Sequence, residues 1–342
     1  MKQNINWGII GLGTIALQFA QAFRDSKNGK LKAISSRNLN KIKLFSDQFN
    51  VNKKYCFIEY ENLLKCEDVD IVYIALPNSM HVEWIKKSIN SKKNILVEKP
   101  AFINMLEVEE IQNQIIDSDL FFTEGFMYRY TPLILKVIEI LKKEIIGKPK
   151  SMTSNFGVNL LTKKNIFGIT KKKKIDKKNR LYNKDLGGGA ILDLGCYPIS
   201  LSCLIASIIS KIDYDKIKIL DKKKEFGETG VDVNSSLDIE FDNGFISKMK
   251  TSFSKNLGTE TIIYGSSGIL RIKNPWLAEP SSIILEGKTK EEIKIEFSNN
   301  IYSYEINAIN KNLLESKTKP DFPGVSIDET IGSTKILYEW LK

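Results

Sequence analysis

Apolar runs and helical patterns alternate along the first third of the chain. "INWGII" (5–10) is a short apolar strand, and after "GLGTIA" (11–16) a helical pattern runs through Leu17, Phe19, Ala20 and Phe23. Strand-like "LKAISS" (31–36) leads into a helical stretch over 39–49, and "DIVYIAL" (70–76) into a helix over 80–91. "NILVE" (94–98) precedes a helix over 104–117, and "LFFTEG" (120–125) closes the series. Buried strands separated by helices predict a parallel, doubly wound sheet.

Past residue 215 the period changes. "SSLDIEF", "FISKMKTSF", "TIIYG" and "ILRIK" are short alternating runs separated by glycine or asparagine turns, the pattern of antiparallel strands. Helical patterns over 302–316 and 326–341 follow, with no internal repeat and no long flexible linker. Between the two regions lies "GGGAILDLGCYPIS" (187–200), three glycines ahead of an apolar helix that starts near Ala190. Asp193 and Tyr197, four residues apart, share one face of that helix. Pro198 has no N–H for the Leu194 carbonyl, which predicts a kink or local loosening. A carboxylate and a phenol are costly to bury unless paired or used. Taken singly, Asp193 reads as a helix N-terminal charge and Tyr197 as a core aromatic with a wet tip.

A chain of 342 residues accommodates two domains. Its apolar runs fall short of the ~20 residues of a membrane span, and no apolar leader precedes the first strand. The expectation is a cytoplasmic protein without a membrane partner. Cys56, Cys66, Cys196 and Cys203 show no C-x-x-C spacing and read as reduced thiols, and a single histidine, His81, argues against a metal site. The net charge of +10 comes from 46 lysines and only five arginines spread over the chain, which speaks against a nucleic-acid partner. The dense cluster "KKKKIDKK" (171–178) reads as a solvated loop, or else as an attractor for an anionic substrate.

Chemistry enters at three places. G-x-G-x-x-A between a strand and a helix is a dinucleotide-binding signature: Gly11 for the tight turn, Gly13 for close approach to a pyrophosphate, Ala16 for helix packing. Thr14 and Ile15, on the first turn of that helix, join the cofactor-binding set. The second strand ends in Ser35, Ser36 and Arg37, without the carboxylate that bonds the ribose 2′-hydroxyl of NAD. An arginine beside hydroxyls suits a 2′-phosphate and so favours NADP, with NAD as the alternative. "VEKPAF" (97–102) sets Glu98 and Lys99 at the carboxyl end of a parallel strand, the edge where open α/β sheets bind ligands, and Pro100 fixes the direction of the turn.

Together with "ALPNSMH" (75–81), "EGFMYRYTP" (124–132) and "NRLYNKDLGGGAILDLGCYP" (179–198), these stretches make the chain resemble the Gfo/Idh/MocA oxidoreductases. The likeness is strongest to the branch holding glucose–fructose oxidoreductase, D-xylose 1-dehydrogenase and dihydrodiol dehydrogenase. It implies a Rossmann domain over 1–126. A C-terminal α/β domain over 127–342 would follow, built on a large, open, mostly antiparallel sheet through which such proteins form homodimers. It also implies NADP-dependent hydride transfer to or from a sugar or related polyhydroxy alcohol, as in an aldose 1-dehydrogenase. A ketoreductase on a sugar nucleotide or carbohydrate-pathway intermediate is the alternative within enzymes. A catalytically silent cofactor-binding regulator is the other, and intact Lys99, Asp193 and Tyr197 argue against it. By the same resemblance, Asp193 and Tyr197 look toward Lys99 and the nicotinamide. Tyr197 is then the proton-transfer group with its pKa lowered by Lys99, and Asp193 holds Lys99 or a substrate hydroxyl. Relatives outside the branch carry histidine where Tyr197 stands, so Tyr197 and Lys99 both remain candidates for the proton. Leu76, Pro77 and Asn78 match the loop beside the cofactor, and His81 follows them in a structural or cofactor-flanking place. Arg129 and Tyr130 match an x-R-Y-x-P element and are candidates to line the substrate site. Arg180 is a candidate for a substrate oxygen or a structural salt bridge, and Trp276 for a pocket wall or buried packing.

Overall fold

A computed structural model describes residues 3–164, 170–277 and 279–342. Strands β1 (Ile5–Ile10), β2 (Gly29–Ser35), β3 (Cys56–Phe57), β4 (Ile71–Ile74), β5 (Asn94–Glu98) and β6 (Phe122–Gly125) alternate with five helices. These are α1 (Thr14–Gln21), α2 (Leu39–Phe49), α3 (Tyr60–Leu64), α4 (His81–Asn90) and α5 (Met105–Ile116). The strands pair in parallel in the order β3-β2-β1-β4-β5-β6, the doubly wound sheet expected from the alternation. Helices cover both faces, which is why β1 and β4 are apolar nearly throughout. One core forms around Trp7, Phe19 and Tyr73, the other around Val72, Trp84 and Phe102.

The chain continues through α6 (Pro132–Lys142), β7 (Pro149–Gly157), a small hairpin of β8 (Thr162–Lys164) and β9 (Thr170–Lys172), and α7 (Cys196–Ile209). Seven strands follow: β10 (Lys218–Phe226), β11 (Asp232–Glu240), β12 (Ile246–Ser252), β13 (Thr261–Gly265), β14 (Ile269–Ile272), β15 (Ser281–Glu286) and β16 (Lys290–Ile295). With β7 they make an eight-stranded sheet in the order β10-β11-β12-β7-β13-β14-β15-β16, antiparallel except where β12 meets β7. Along β11 the alternation is visible directly: Val233, Ser235, Leu237 and Ile239 are buried, while Asn234, Ser236, Asp238 and Glu240 are half-exposed on the opposite face. Helices α8 (Ile301–Leu314) and α9 (Ile327–Leu341) close the chain. The stretch Lys184–Ile209 is long and apolar enough to cross a bilayer by length and composition, but its apolar window is 78% buried inside the protein.

The chain forms two compact units, Met1–Thr131 with Phe297–Ile331, and Pro132–Glu296 with Gly332–Lys342. Neither is contiguous, whereas the chain pattern places a single cut after residue 126. The reason lies in α8, whose Ile306 and Ile309 pack into the core around Trp7. The Trp7 indole N–H donates to the Asn310 side-chain oxygen at 2.8 Å, across 303 residues of sequence.

Candidate functional site

In the first unit the strand ends of the parallel sheet carry the nucleotide signature. Gly11 has φ +89°, and a Cβ there would lie 2.6 Å from the Ala75 carbonyl oxygen, so only glycine fits the turn. Its N–H donates to the Ser35 carbonyl at 3.0 Å. Gly13 caps α1 without a side-chain partner, and a Cβ built on it meets nothing within 4 Å. Open space therefore stands over the first-turn N–H groups of α1, beside exposed Thr14 and half-buried Ile15, and this cradle fits a pyrophosphate. Ser36 is buried, with its Oγ accepting from the Asn38 N–H at 3.2 Å. Arg37 is exposed, its guanidinium 5.4 Å from the centre of the Tyr60 ring. The Ser35 hydroxyl is buried without a hydrogen-bond partner among the described residues. Leu76, Pro77 and Asn78 follow β4 on the same edge.

Lys99 stands half-buried at the end of β5, followed by a cis peptide to buried Pro100. The turn around it is braced from three directions. The Tyr73 hydroxyl, from the neighbouring strand, donates to Glu98, and its ring stacks on Phe19 at 3.9 Å. Burial, followed by the Glu98 charge, pushes the Tyr73 phenol well above its usual range, so it stays a donor. His81 is fully buried, with one ring nitrogen 3.0 Å from the Pro100 carbonyl oxygen and the other 3.0 Å from that of Leu76. It bridges the loop after β4 and the turn after β5. The Ala101 N–H donates to Glu124 Oε1 at 3.0 Å.

Burial raises the Glu124 carboxyl to about 7, against the pull of the Ala101 N–H, Thr330 and Arg129. A folded-state pKa above the unfolded value makes its contribution full below about 4.5 and lost as pH rises through about 7. Glu124→Gln keeps the acceptor for Ala101 and cannot ionise. Its stability relative to the unaltered protein should therefore improve with pH across that window, by up to ~3 kcal/mol. Thermal melts of both proteins at several pH values would show it, and a constant offset would refute the assignment.

Arg129 and Tyr130 require a correction. The Arg129 side chain is 1% exposed inside the first unit and ion-paired with Glu329. Its Nη1 donates to Glu329 Oε2 at 3.1 Å and to the Pro323 carbonyl at 3.2 Å. Tyr130 is buried with its hydroxyl against Gly324. Burial first, then the charge of Glu305, raises its phenol. Both belong to the packing of this unit because Glu329 and Gly324, some 200 residues on, fold back onto them.

In the second unit the opening of the apolar helix is built on Asp232. Gly189 has φ +117°, and a Cβ there would fall 2.2 Å from Asp232 Oδ1. That carboxylate accepts from the Ile191 N–H at 2.8 Å and so caps the helix from another strand. Ile191–Gly195 forms a π-helical turn before α7 begins. The loosening expected from Pro198 thus sits one turn earlier, as a π-helical turn that runs straight into α7 ahead of the proline. Asp193 Oδ1 accepts from Arg180 Nη1 at 3.0 Å, which gives Arg180 its salt-bridge role. The Tyr197 ring packs edge-on to Phe156 (5.4 Å) and tilted against Trp276 (5.7 Å), and those two stack on each other at 5.9 Å. Trp276 is 1% exposed. It packs against the Tyr197 ring and helps to set its direction. The lysines of 171–178 are all exposed. Among the described residues no group of three or more His, Cys, Asp or Glu side chains is arranged for a metal ion.

Tyr73, Glu124 and Asp232 were not singled out from the sequence. A lone phenol inside the aliphatic run "DIVYIAL" was the available signal for Tyr73. For the other two, each partner lies too far along the chain to be visible.

Residues 5–126 match the family described as oxidoreductase family, NAD-binding Rossmann fold, and residues 134–271 match the GFO/IDH/MocA C-terminal domain. The chain is 27% identical over 336 residues to trans-1,2-dihydrobenzene-1,2-diol dehydrogenase of Xenopus tropicalis, covering 96% of this chain and 94% of that one. It is 27% identical over 247 residues to D-xylose 1-dehydrogenase (NADP(+)) 2 of Haloferax volcanii, covering 72% and 69%. Among solved structures, a 3-ketoreductase from Actinomadura kijaniata in complex with NADP and TDP-benzene shares the fold. Its TM-score is 0.81 at 21% identity, over 98% of this chain and 96% of that one.

Proposed function

Starting from a chain that belongs to the Gfo/Idh/MocA oxidoreductase family, we propose that it is an NADP-preferring enzyme moving hydride between the nicotinamide and a sugar or related polyhydroxy alcohol. The observation that carries this reading is the carboxyl edge of the parallel sheet. There Arg37, the Gly11–Gly13 loop, Pro77 and Lys99 follow the ends of β2, β1, β4 and β5, four strands adjacent in the sheet. The relatives named for a dihydrodiol and for D-xylose support a hydroxyl-bearing substrate.

The bound cofactor supplies the hydride acceptor or donor. The loop of Gly11, Gly13, Thr14 and Ile15 would hold its pyrophosphate, Ser36 and Arg37 its 2′-phosphate, and Leu76, Pro77, Asn78 and Glu98 the remaining edge. In this reading Tyr197 moves the proton at the substrate hydroxyl through its phenol oxygen, and Lys99 supplies the positive charge that eases the phenol's ionisation. Asp193, oriented by Arg180, positions a substrate hydroxyl. We further propose a small-molecule substrate, a homodimer formed through the half-exposed face of the eight-stranded sheet and a cytoplasmic place, with neither nucleic acid nor membrane as partner.

Initial rates with aldoses, polyols, sugar phosphates and sugar nucleotides, each with NAD and NADP, test the reading. Turnover of sugar nucleotides alone would favour the ketoreductase alternative, for which the exposed lysines at 171–178 offer an anionic docking surface. Arg37→Ala should weaken NADP binding by ~1.5–3 kcal/mol, the worth of hydrogen bonds to a charged group, and leave NAD nearly unchanged. Calorimetric titration of both cofactors checks this, and equal affinities in the unaltered protein would refute the preference.

A further inference from the structure

Around Arg37 the first unit carries a second shell of chemistry that the nucleotide signature does not explain. Tyr60, at the start of α3, is buried under the guanidinium, and the Arg37 backbone amide faces its hydroxyl. Tyr60 in turn stands edge-on to Trp84 of α4 at 4.9 Å, and Trp84 is fully buried. The ring beneath Arg37 is therefore rigid. The next residue, Glu61, carries a carboxylate that Arg37 also attracts. Lys87 holds that carboxylate at 2.7 Å, bonds Glu83 at 2.6 Å, and lies 4.1 Å over the Trp84 ring.

A guanidinium that is to receive a phosphate must be held in place and must not already be paired with an acid. We infer that Tyr60 and Lys87 are positioning residues for cofactor selectivity: Tyr60 holds the Arg37 guanidinium ready for a 2′-phosphate, and Lys87 keeps Glu61 from capturing it. Three observations converge on this. The Tyr60 face binds the cation by its ring quadrupole without offering a competing charge. Lys87 occupies Glu61 through an ordinary ion pair, whose loss would free a negative charge beside the phosphate position. Glu83, four residues before Lys87 on α4, bonds the same ammonium and so helps to fix the lysine in place. The Lys87–Glu61 bond also holds the Glu61 carboxyl below its ordinary range, so the acid is charged and the competition is real at neutral pH.

This inference rests on the NADP preference proposed above, and the test separates the two. Dissociation constants of NADPH and NADH are measured by calorimetry on the full chain and on Tyr60→Phe, Tyr60→Leu, Lys87→Met and the pair Lys87→Met with Glu61→Gln. Tyr60→Leu should weaken NADPH about two- to five-fold, the worth of an exposed cation–π contact, while Tyr60→Phe keeps the ring and loses less. Lys87→Met should weaken NADPH by a similar factor, and adding Glu61→Gln should restore it, with NADH changed less than about two-fold throughout. A merely structural role would shift both cofactors together and would not be rescued by Glu61→Gln. Should Tyr60→Leu fail to fold, the half-exposed Lys87 and its rescue decide the matter. Equal NADPH and NADH affinities in the unaltered chain overturn the cofactor preference and this inference with it. A selective unaltered chain whose selectivity survives Lys87→Met overturns the inference alone.

Discussion

Replacing Tyr197 with phenylalanine is expected to lower turnover by ~10²–10⁴-fold, the contribution of a placed general acid or base, in a protein that melts normally. The ring would keep its contacts with Phe156 and Trp276, so only the hydroxyl is lost. Cofactor affinity should survive, because the proposed pyrophosphate and 2′-phosphate contacts all belong to the other compact unit. Lys99→Ala should be at least as damaging, since it removes the charge proposed to ease ionisation of the phenol. Asp193→Asn should be milder: an amide keeps an acceptor for Arg180, at the expense of the charged pair. Rates measured beside thermal melts decide between this role and a packing role. Near-normal turnover of Tyr197→Phe would return the residue to the core.

The second large effect concerns stability. Arg129→Met should destabilise the first unit by up to ~3 kcal/mol, because it leaves the half-buried Glu329 carboxylate beside raised Glu124 without its counter-charge. Arg129→Met combined with Glu329→Leu should recover most of that loss, since a buried pair replaced by apolar groups is often close to neutral. Urea unfolding of the single and double variants measures both. Equal losses in the two would mean that the bond to the Pro323 carbonyl, rather than the ion pair, carries the stability.

The parallel sheet was legible because its signals are local. A strand buried on both faces writes itself as an apolar run, and the Gly11 turn requires glycine whatever lies elsewhere. The loosening near Pro198 was legible for the same reason, although its form, a π-helical turn over Ile191–Gly195, was not. Arg129 shows where this kind of reading stops. An arginine beside a phenol at the end of a strand looks available to a substrate until Glu329 is brought to it, and nothing near residue 129 announces that partner. Trp276 was ambiguous for a related reason: nothing near residue 276 announces that its indole packs on Tyr197 and Phe156. Asp232 escaped notice because its task, capping a helix 41 residues away, leaves no mark on its own strand.

The bond from Trp7 to Asn310 also orders events during synthesis. Residues 1–131 leave the ribosome long before α8 does, and until then one side of Trp7 and Phe19 has no cover. At ~5–20 residues per second the interval lasts on the order of ten seconds or more. During it the nascent first unit presents an apolar face to chaperones and to its neighbours on the polysome. The second unit meets a shorter version of the same delay. Its central strand β7 pairs with β12, almost a hundred residues downstream, so the sheet closes only after the helix bearing Asp193 and Tyr197 has already been made.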